Sequence, residues 1–442
     1  MPQLQVPWGQ CQLAFSLPEH WKVQQIAQPE LKPAGDDWRD RIAMALHQPV
    51  AGLPLGRLLA ARRGGRVAII VEDLTRHSPL SEILQVVLRE IEYAQFPKSQ
   101  VEIVFAAGMH PPMTAAQVRE KLGPCADEGI AWRCNPWHDP KQYVRVGRAG
   151  RVDLWIDRGV ADADLRILIS SVSPHLQAGF GGGYKMLLPG CSMLKTVRGL
   201  HRFGAFGKPR QLVGLGPDRN AMRAAIDGAG QLIDQRHGTT FALEYLLDAN
   251  DLPTFIAAGA PMPTHTMLIK QCAVACGVVP NGAADVLITN AHPRDVDLWQ
   301  CFKCIPNTRW AVRPNGVIIC LARCPEGLRE MKTMSWPLSP AATRKVVQWL
   351  GPSTLCSLVD RLVTHIAGDS SWFLRLATQT IERNPIFMVS PTLVEQGVKF
   401  PGISMFATVE EAAAAADVLL GGGPQRVAVY PWGGASYPVA QT

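Results

Sequence analysis

The sequence predicts an α/β protein made of two α/β domains with parallel-type sheets and an active-site cleft between them. Three observations predict it. Short β-branched runs recur, each feeding a polar loop and then a stretch with helical spacing of apolar residues. The composition is that of a chain with ample core: 442 residues, 47% hydrophobic and 18% charged. The polar residues that look functional fall where the β-branched runs end, the edge at which open α/β sheets gather their chemistry.

The elements follow in order. Residues 67–71 (VAIIV) read as a buried strand that runs into Glu72-Asp73-Leu74-Thr75-Arg76. Residues 80–93 have helical periodicity. A second strand, 101–106 (VEIVFA), is followed by a loop containing His110, and Thr114-x-x-Gln117 is a capping box opening a helix. A third strand, 165–170 (LRILIS), leads to Ser173-Pro174-His175 and a glycine-rich loop. Residues 241–246 and 254–258 read as a hairpin. The second half offers strands at 285–289, 317–321, 386–390 and 426–430, with helices near 339–350 and 353–366. Thr408-x-x-Glu411 caps a last alanine-rich helix. The expected division is a cofactor-binding domain over 1–270, a linker at 271–282, a second α/β domain over 283–402, and a tail, 403–442, returning to the first domain.

Charge and cysteines bound the function. The net charge of +7 is spread along the chain, without the compact Lys/Arg block that tracks nucleic acid. A basic n-region and an apolar h-region are both missing from the first residues, and no apolar run reaches 18 residues, so neither a secretory signal nor a membrane span is expected. Eleven irregularly spaced cysteines read as reduced thiols of a cytoplasmic protein.

The chemistry concentrates in residues 173–204. Gly179, Gly181, Gly182 and Gly183 follow a strand, a pattern that lets backbone amides approach a phosphate, although neither the Walker nor the dinucleotide spacing is present. Lys185 could be a phosphate counter-charge, a covalent attachment point or simply a solvated lysine after a turn. His110 and His175 end strand-loop units and could form an acid/base pair, one on each face of a substrate. His201 could bind a soft transition metal. The bland alternative for each of the 11 histidines is a satisfied or exposed ring.

GMHPPMT with His110, SPH with His175, GFGGGYK with Lys185, and His201 together resemble the nickel-pincer lactate racemase family. Asp73-Leu74-Thr75-Arg76 is similar to that family's D-x-T-R loop, and Gln300-Cys-Phe-Lys303 to its Gln-x-x-Lys substrate motif. The resemblance covers roughly residues 15–435 and rests on five motifs in the right order. It implies a nickel pincer nucleotide, with His201 as the metal ligand and Lys185 as a possible tether. Asp73, Leu74, Thr75, Arg76, Gly181, Gly182 and Gly183 would surround the cofactor. Arg76, Gln300 and Lys303 would engage a substrate carboxylate, and His110 and His175 would be the catalytic pair. The implied reaction is racemisation or epimerisation of a 2-hydroxy acid by proton-coupled hydride transfer through a 2-keto acid. Loading would depend on cofactor-biosynthesis proteins.

Departures from the pattern leave the substrate open. Gly181 stands where serine is usual, and Tyr184 where arginine or lysine is common. Arg294 could meet a second carboxylate or a polyol chain, or be an exposed arginine. A sugar-acid epimerase of the same family is one alternative, and a homologue that binds nucleotide or metal without turnover is the other. Cys301-x-x-Cys304 and Cys320-x-x-x-Cys324 superficially suggest zinc, but buried free thiols are preferred. Among Trp299, Trp310, Trp349 and Trp372, core packing is the favoured reading; Trp372, in an expected loop, is the candidate pocket wall.

Overall fold

The computed structural model describes residues 3–136, 139–205, 210–328, 337–362 and 367–440, with the backbone alone at 204–205, 359–362 and 367–373. The chain divides into two compact units. The α/β class expected from the sequence is what both show.

One unit comprises Leu31–Gly204 and Leu215–Ala275. Its six-stranded sheet has the order Pro253–Gly259, Thr239–Leu247, Leu165–Ser171, Val67–Val71, Val101–Phe105, Ala131–Cys134. All neighbours pair in parallel except the edge hairpin Thr239–Leu247/Pro253–Gly259. Every residue of Val67–Val71 and Leu165–Ser171 is buried, as strands covered on both faces require. The helix Leu80–Tyr93 lays Ile83, Leu84, Val87 and Ile91 into the core on one side of this sheet. Thr114 closes the expected capping box, its hydroxyl taking the Gln117 amide and the Gln117 side chain taking its own. Chain order reverses between Val67–Val71 and Leu165–Ser171, and open α/β sheets bind ligands outside the carboxyl ends of strands at such a switch. Residues 72–76 and 172–185 leave those two strand ends, and the His110 loop leaves the next.

The other unit comprises Met1–Glu30, Ala205–Gly214 and Cys276–Thr442. Its sheet is wholly parallel, in the order Ile403–Phe406, Ile386–Val389, Val312–Leu321, Ala284–Asn290, Arg426–Tyr430, Lys22–Ile26. The switch lies beside Ala284–Asn290, whose carboxyl end leads to Gln300 and Lys303. Thr408 makes its capping box with Glu411.

Three boundaries differ from expectation. The segment 403–442 does not return to the first domain: Arg426–Tyr430 pairs with Ala284–Asn290 and with Lys22–Ile26. The N-terminal segment joins that same sheet, because its strand fills the edge beside Arg426–Tyr430. The first half of the expected linker, 271–276, is the end of the helix Pro261–Cys276, and Gly277–Val278 is a short strand. No helix among the described residues is long and apolar enough to cross a membrane.

Candidate functional site

The loop after Val67–Val71 is built around two carboxylates. Glu72 is buried and turned inward, accepting the Ser171 amide at 2.6 Å, the Ser171 hydroxyl at 2.5 Å and the Ser78 hydroxyl at 2.7 Å. It locks the two strands of the switch point together. Asp73, also buried, accepts the Thr75 amide at 3.0 Å and the Thr75 hydroxyl at 2.6 Å. Its other oxygen lies 2.6 Å from His110 Nδ1. A carboxylate can only accept, so His110 carries its proton on Nδ1 and its lone pair on Nε2. Burial alone would raise the Asp73 carboxyl, but the His110 bond, with the nearby Arg76 and Thr75, holds it well below the usual carboxylate range. Arg76 is half-buried and donates to the Thr75 carbonyl and hydroxyl. Lys121 braces this loop from below through the Arg76 carbonyl at 2.6 Å and the Ser78 carbonyl at 3.3 Å. Leu74 is half-buried and no polar contact marks it.

His175 is set the opposite way. Its Nδ1 accepts from the amides of Gln177 at 3.3 Å and Ala178 at 3.0 Å, so the neutral ring carries its proton on Nε2. The symmetrical acid/base pair expected from two strand-end histidines is therefore not what the hydrogen bonds prepare. Gln177 links this turn to the next helix, its side chain donating to the His201 carbonyl at 3.1 Å.

His201 lies in the helix Leu194–Ala205 and directs Nδ1 to the Val197 carbonyl at 2.8 Å. A carbonyl accepts only, so the neutral ring carries its proton on Nδ1 and its lone pair on Nε2, the tautomer usual for ligating imidazoles. Burial pushes the His201 imidazolium down to about 4; the Val197 bond opposes this, while Lys185 and His110 add to it. Those two residues are thus within electrostatic reach of His201, and the ring stays neutral, as a ligand needs to be.

The glycine loop departs from the phosphate cradle that its sequence suggests. The Gly181 amide donates to the Ser173 carbonyl at 2.8 Å, and the Gly183 amide donates to Glu244. A nest needs free amides, and two of these are taken from within. The glycines are required by what lies underneath. A Cβ on Gly182 would strike Glu244, and one on Gly183 would stand 2.6 Å from Arg223 Nη2 and 3.0 Å from His265 Cγ. Glu244 is fully buried and meets His265 Nδ1 at 3.1 Å; Arg223 pairs with Asp227 at 2.9 Å. This polar floor was missed in the sequence because it comes from three distant segments without a motif. The loop's 3-10 turn, Gly183–Met186, carries Lys185 at its half-buried face, while Tyr184 turns into the core and donates to Asp234 at 2.6 Å. Tyr184 is thus held in the core by a hydrogen bond rather than turned to the loop's surface.

In the other unit, Asp297 caps Leu298–Cys301 through the Gln300 amide at 2.8 Å, and Lys303 Nζ donates to Gln300 Oε1 at 2.6 Å. The Gln-x-x-Lys spacing thus forms one bonded pair on one turn. Arg294 is half-buried, and Asp295 beside it is held by Arg323 at 2.8 Å. Trp372 is not on a loop: it belongs to the helix Ala367–Arg383, and its side chain lies outside the described residues. Trp349, expected in the core, is 83% exposed. Trp310 lies beneath the Arg309 and Arg383 guanidinium groups, 4.7 and 5.5 Å from the ring centre.

A family model described as the lactate racemase N-terminal domain matches residues 8–214. The lactate racemase of Thermoanaerobacterium thermosaccharolyticum is 25% identical over 339 residues, 74% of this chain and 76% of its own. The lactate racemase of Lactiplantibacillus plantarum is 25% identical over 297 residues, 65% of this chain and 67% of its own. Among solved structures, the lactate racemase apoprotein from T. thermosaccharolyticum aligns with a TM-score of 0.81, covering 99% of this chain and 100% of its own at 21% identity. A protein from Thermotoga maritima aligns at 0.65, covering 93% and 99%, with 14% identity. These two share the fold.

Proposed function

We propose that this chain, which matches the lactate racemase N-terminal domain over residues 8–214 and two lactate racemases at 25% identity, racemises or epimerises a 2-hydroxy acid with a nickel pincer nucleotide held at His201 and Lys185. The observation that carries this reading is a single electrostatic neighbourhood. In it, His110 has its basic nitrogen set by Asp73, His201 has its lone pair on Nε2, and Lys185 lies within reach.

The residues fit the group. Among the described residues no cluster of three or more His, Cys, Asp or Glu could hold a metal ion by itself. A lone neutral imidazole suits a metal that arrives with its own soft donors. The chemistry that a nickel pincer nucleotide supplies when bound is reversible hydride acceptance. Every other role falls to this chain. His110 Nε2 takes the substrate hydroxyl proton, and Asp73 stabilises the imidazolium that results. His175, with its proton on Nε2, begins as a hydrogen-bond donor to the substrate oxygen. Arg76, Gln300 and Lys303 carry the donors that a carboxylate needs. The glycine loop fixes Lys185 rather than cradling a phosphate with the amides of Gly181 and Gly183. Loading relies on separate cofactor-biosynthesis proteins.

The test uses protein made alongside the cofactor pathway. Intact mass should show a nucleotide adduct and metal analysis should show nickel. Chiral 2-hydroxy acids, lactate and larger ones, are then followed for loss of enantiomeric purity. Protein without nickel and without adduct under those conditions would overturn the reading; a loaded enzyme that leaves every acid optically pure would overturn the racemase assignment.

A further inference from the structure

Four buried thiols form two contacting pairs behind the segment that bears Gln300 and Lys303. Cys301 ends the helix Leu298–Cys301, and Cys304 begins the helix Cys304–Thr308. Cys320 lies in the strand Val312–Leu321, and Cys324 in the loop that follows it. The C-x-x-C spacing suggests that Cys301 and Cys304 act together, but the structure pairs each with the later segment. Cys301 Sγ is 3.2 Å from Cys324 Sγ, and Cys304 Sγ is 3.5 Å from Cys320 Sγ. All four side chains are fully buried. Other buried thiols meet oxygen instead: Cys125 donates to the Ser81 carbonyl, and Cys356 faces the Thr378 hydroxyl. The two pairs belong to no metal-type group of three or more His, Cys, Asp or Glu among the described residues.

A second observation sets Cys324 apart. Its φ is +48°, in the left-handed region where a residue with a Cβ is strained. A non-glycine residue kept in such a conformation points to a constraint beyond packing. The loop is also tied to the helix in front of it. The Gly327 amide donates to the Cys324 carbonyl at 2.9 Å, and the Leu298 amide donates to the Gly327 carbonyl at 3.1 Å.

We propose that Cys301–Cys324 and Cys304–Cys320 are sites of reversible disulfide formation, through which oxidation shifts the segment bearing Gln300 and Lys303. The oxidant class is a low-molecular-weight disulfide. The thiolate of one cysteine attacks the oxidant's S–S bond and releases one small thiol. The partner thiolate then attacks the mixed disulfide and releases the second. Two protein thiols lose two protons and two electrons, and the oxidant is reduced to two thiols. Each bond requires the sulfurs to close to about 2.0 Å. The Cys301–Cys324 pair forms first, since its gap is shorter and Cys324 lies on a loop, whereas Cys320 is held within a strand. Burial pushes the Cys301 thiol up, so the reaction waits on local opening. The effect on substrate rests on the role proposed above for Gln300 and Lys303; the thiol chemistry does not.

The experiment treats the full-length loaded protein with oxidised glutathione, then denatures it in an alkylating reagent for intact mass and peptide mapping. Expected is the loss of two hydrogens, then four, with cross-linked peptides joining Cys301 to Cys324 and Cys304 to Cys320, all reversed by dithiothreitol. Cys324→Ser should lose the first bond and keep the second; Cys324→Ala serves if the serine variant does not fold. Full alkylation of all four thiols, glutathione adducts alone, or bonds between other cysteines would overturn the proposal. A raised KM for the hydroxy acid that recovers on reduction supports the functional consequence. An unchanged KM in the disulfide form would sink that consequence while leaving the bonds established.

Discussion

The His110 loop and the His175 turn leave the two strands that flank Val67–Val71, yet they hold their rings in opposite states. His110 faces a carboxylate through Nδ1, and His175 faces two backbone amides through the same nitrogen. The first arrangement places the proton on Nδ1 and the lone pair on Nε2. The second places the lone pair on Nδ1 and the proton on Nε2. A residue type at a strand end therefore marks a site without fixing its role; the role is set by what the other ring nitrogen meets.

The largest expected effect breaks that comparison directly. His110→Ala should lower kcat by about a hundredfold or more, the usual contribution of a positioned base. His175→Gln keeps a donor near the substrate oxygen and should cost clearly less. Steady-state rates on a single enantiomer decide it, and equal losses would make the two rings equivalent. His201→Ala belongs beside these as a control on the neighbourhood: it should abolish nickel retention, read by metal analysis, with the fold unchanged by circular dichroism.

A smaller effect sharpens the Asp73–His110 side. The Asp73 carboxyl is held well below its ordinary value of 3.8, so the folded state keeps the charge as pH falls while the unfolded chain takes up a proton. The stability this contributes is present above that value and is lost as pH falls toward the folded one. Asp73→Asn should therefore flatten the acid limb of the stability curve, measured as urea midpoints against pH. It should also lower kcat more than it raises KM, since the amide no longer stabilises the imidazolium. An acid limb identical to that of the unaltered protein would show the carboxylate to be no more than a spacer.

Much of this was legible in the sequence, and the reasons are local. VAIIV announced a strand because all five positions are buried, and Thr114 and Thr408 announced helix starts because a capping box is written in four consecutive residues. Gln300 and Lys303 were legible only through the resemblance to a family motif, and the structure joins them as one hydrogen-bonded pair. What was not legible depends on distant partners. Lys22–Ile26 has a weak strand pattern and is placed by Arg426–Tyr430. Glu72 follows a strand with nothing to say that it would meet Ser171. Glu244, Arg223 and His265 gather under the glycine loop only once helix and sheet have packed, and His265 is one of 11 histidines in a helix with no loop to mark it.

The glycine loop offers the finest comparison, between two neighbours in one stretch of chain. Gly183 has φ +61°, and its missing Cβ leaves room for Arg223 and His265 beneath. Those groups are buried and bonded, so they cannot swing away as an exposed side chain would. Gly183→Ala should therefore destabilise the fold by about 2–3 kcal/mol, from left-handed strain plus the clash. Gly181 differs in both respects. Its φ is outside the left-handed region, and a Cβ there would meet the Ser173 carbonyl and hydroxyl oxygens at 3.6 Å and the Ser171 carbonyl at 3.8 Å, all ordinary contacts. Gly181→Ser restores the residue usual in the family and should change stability by less than about 0.5 kcal/mol. Urea unfolding of the two variants side by side checks both. If Gly183→Ala proved as mild as Gly181→Ser, the polar floor of Glu244, Arg223 and His265 would not be what holds the loop that carries Lys185. The glycines would then need a ligand on their outer side to explain them.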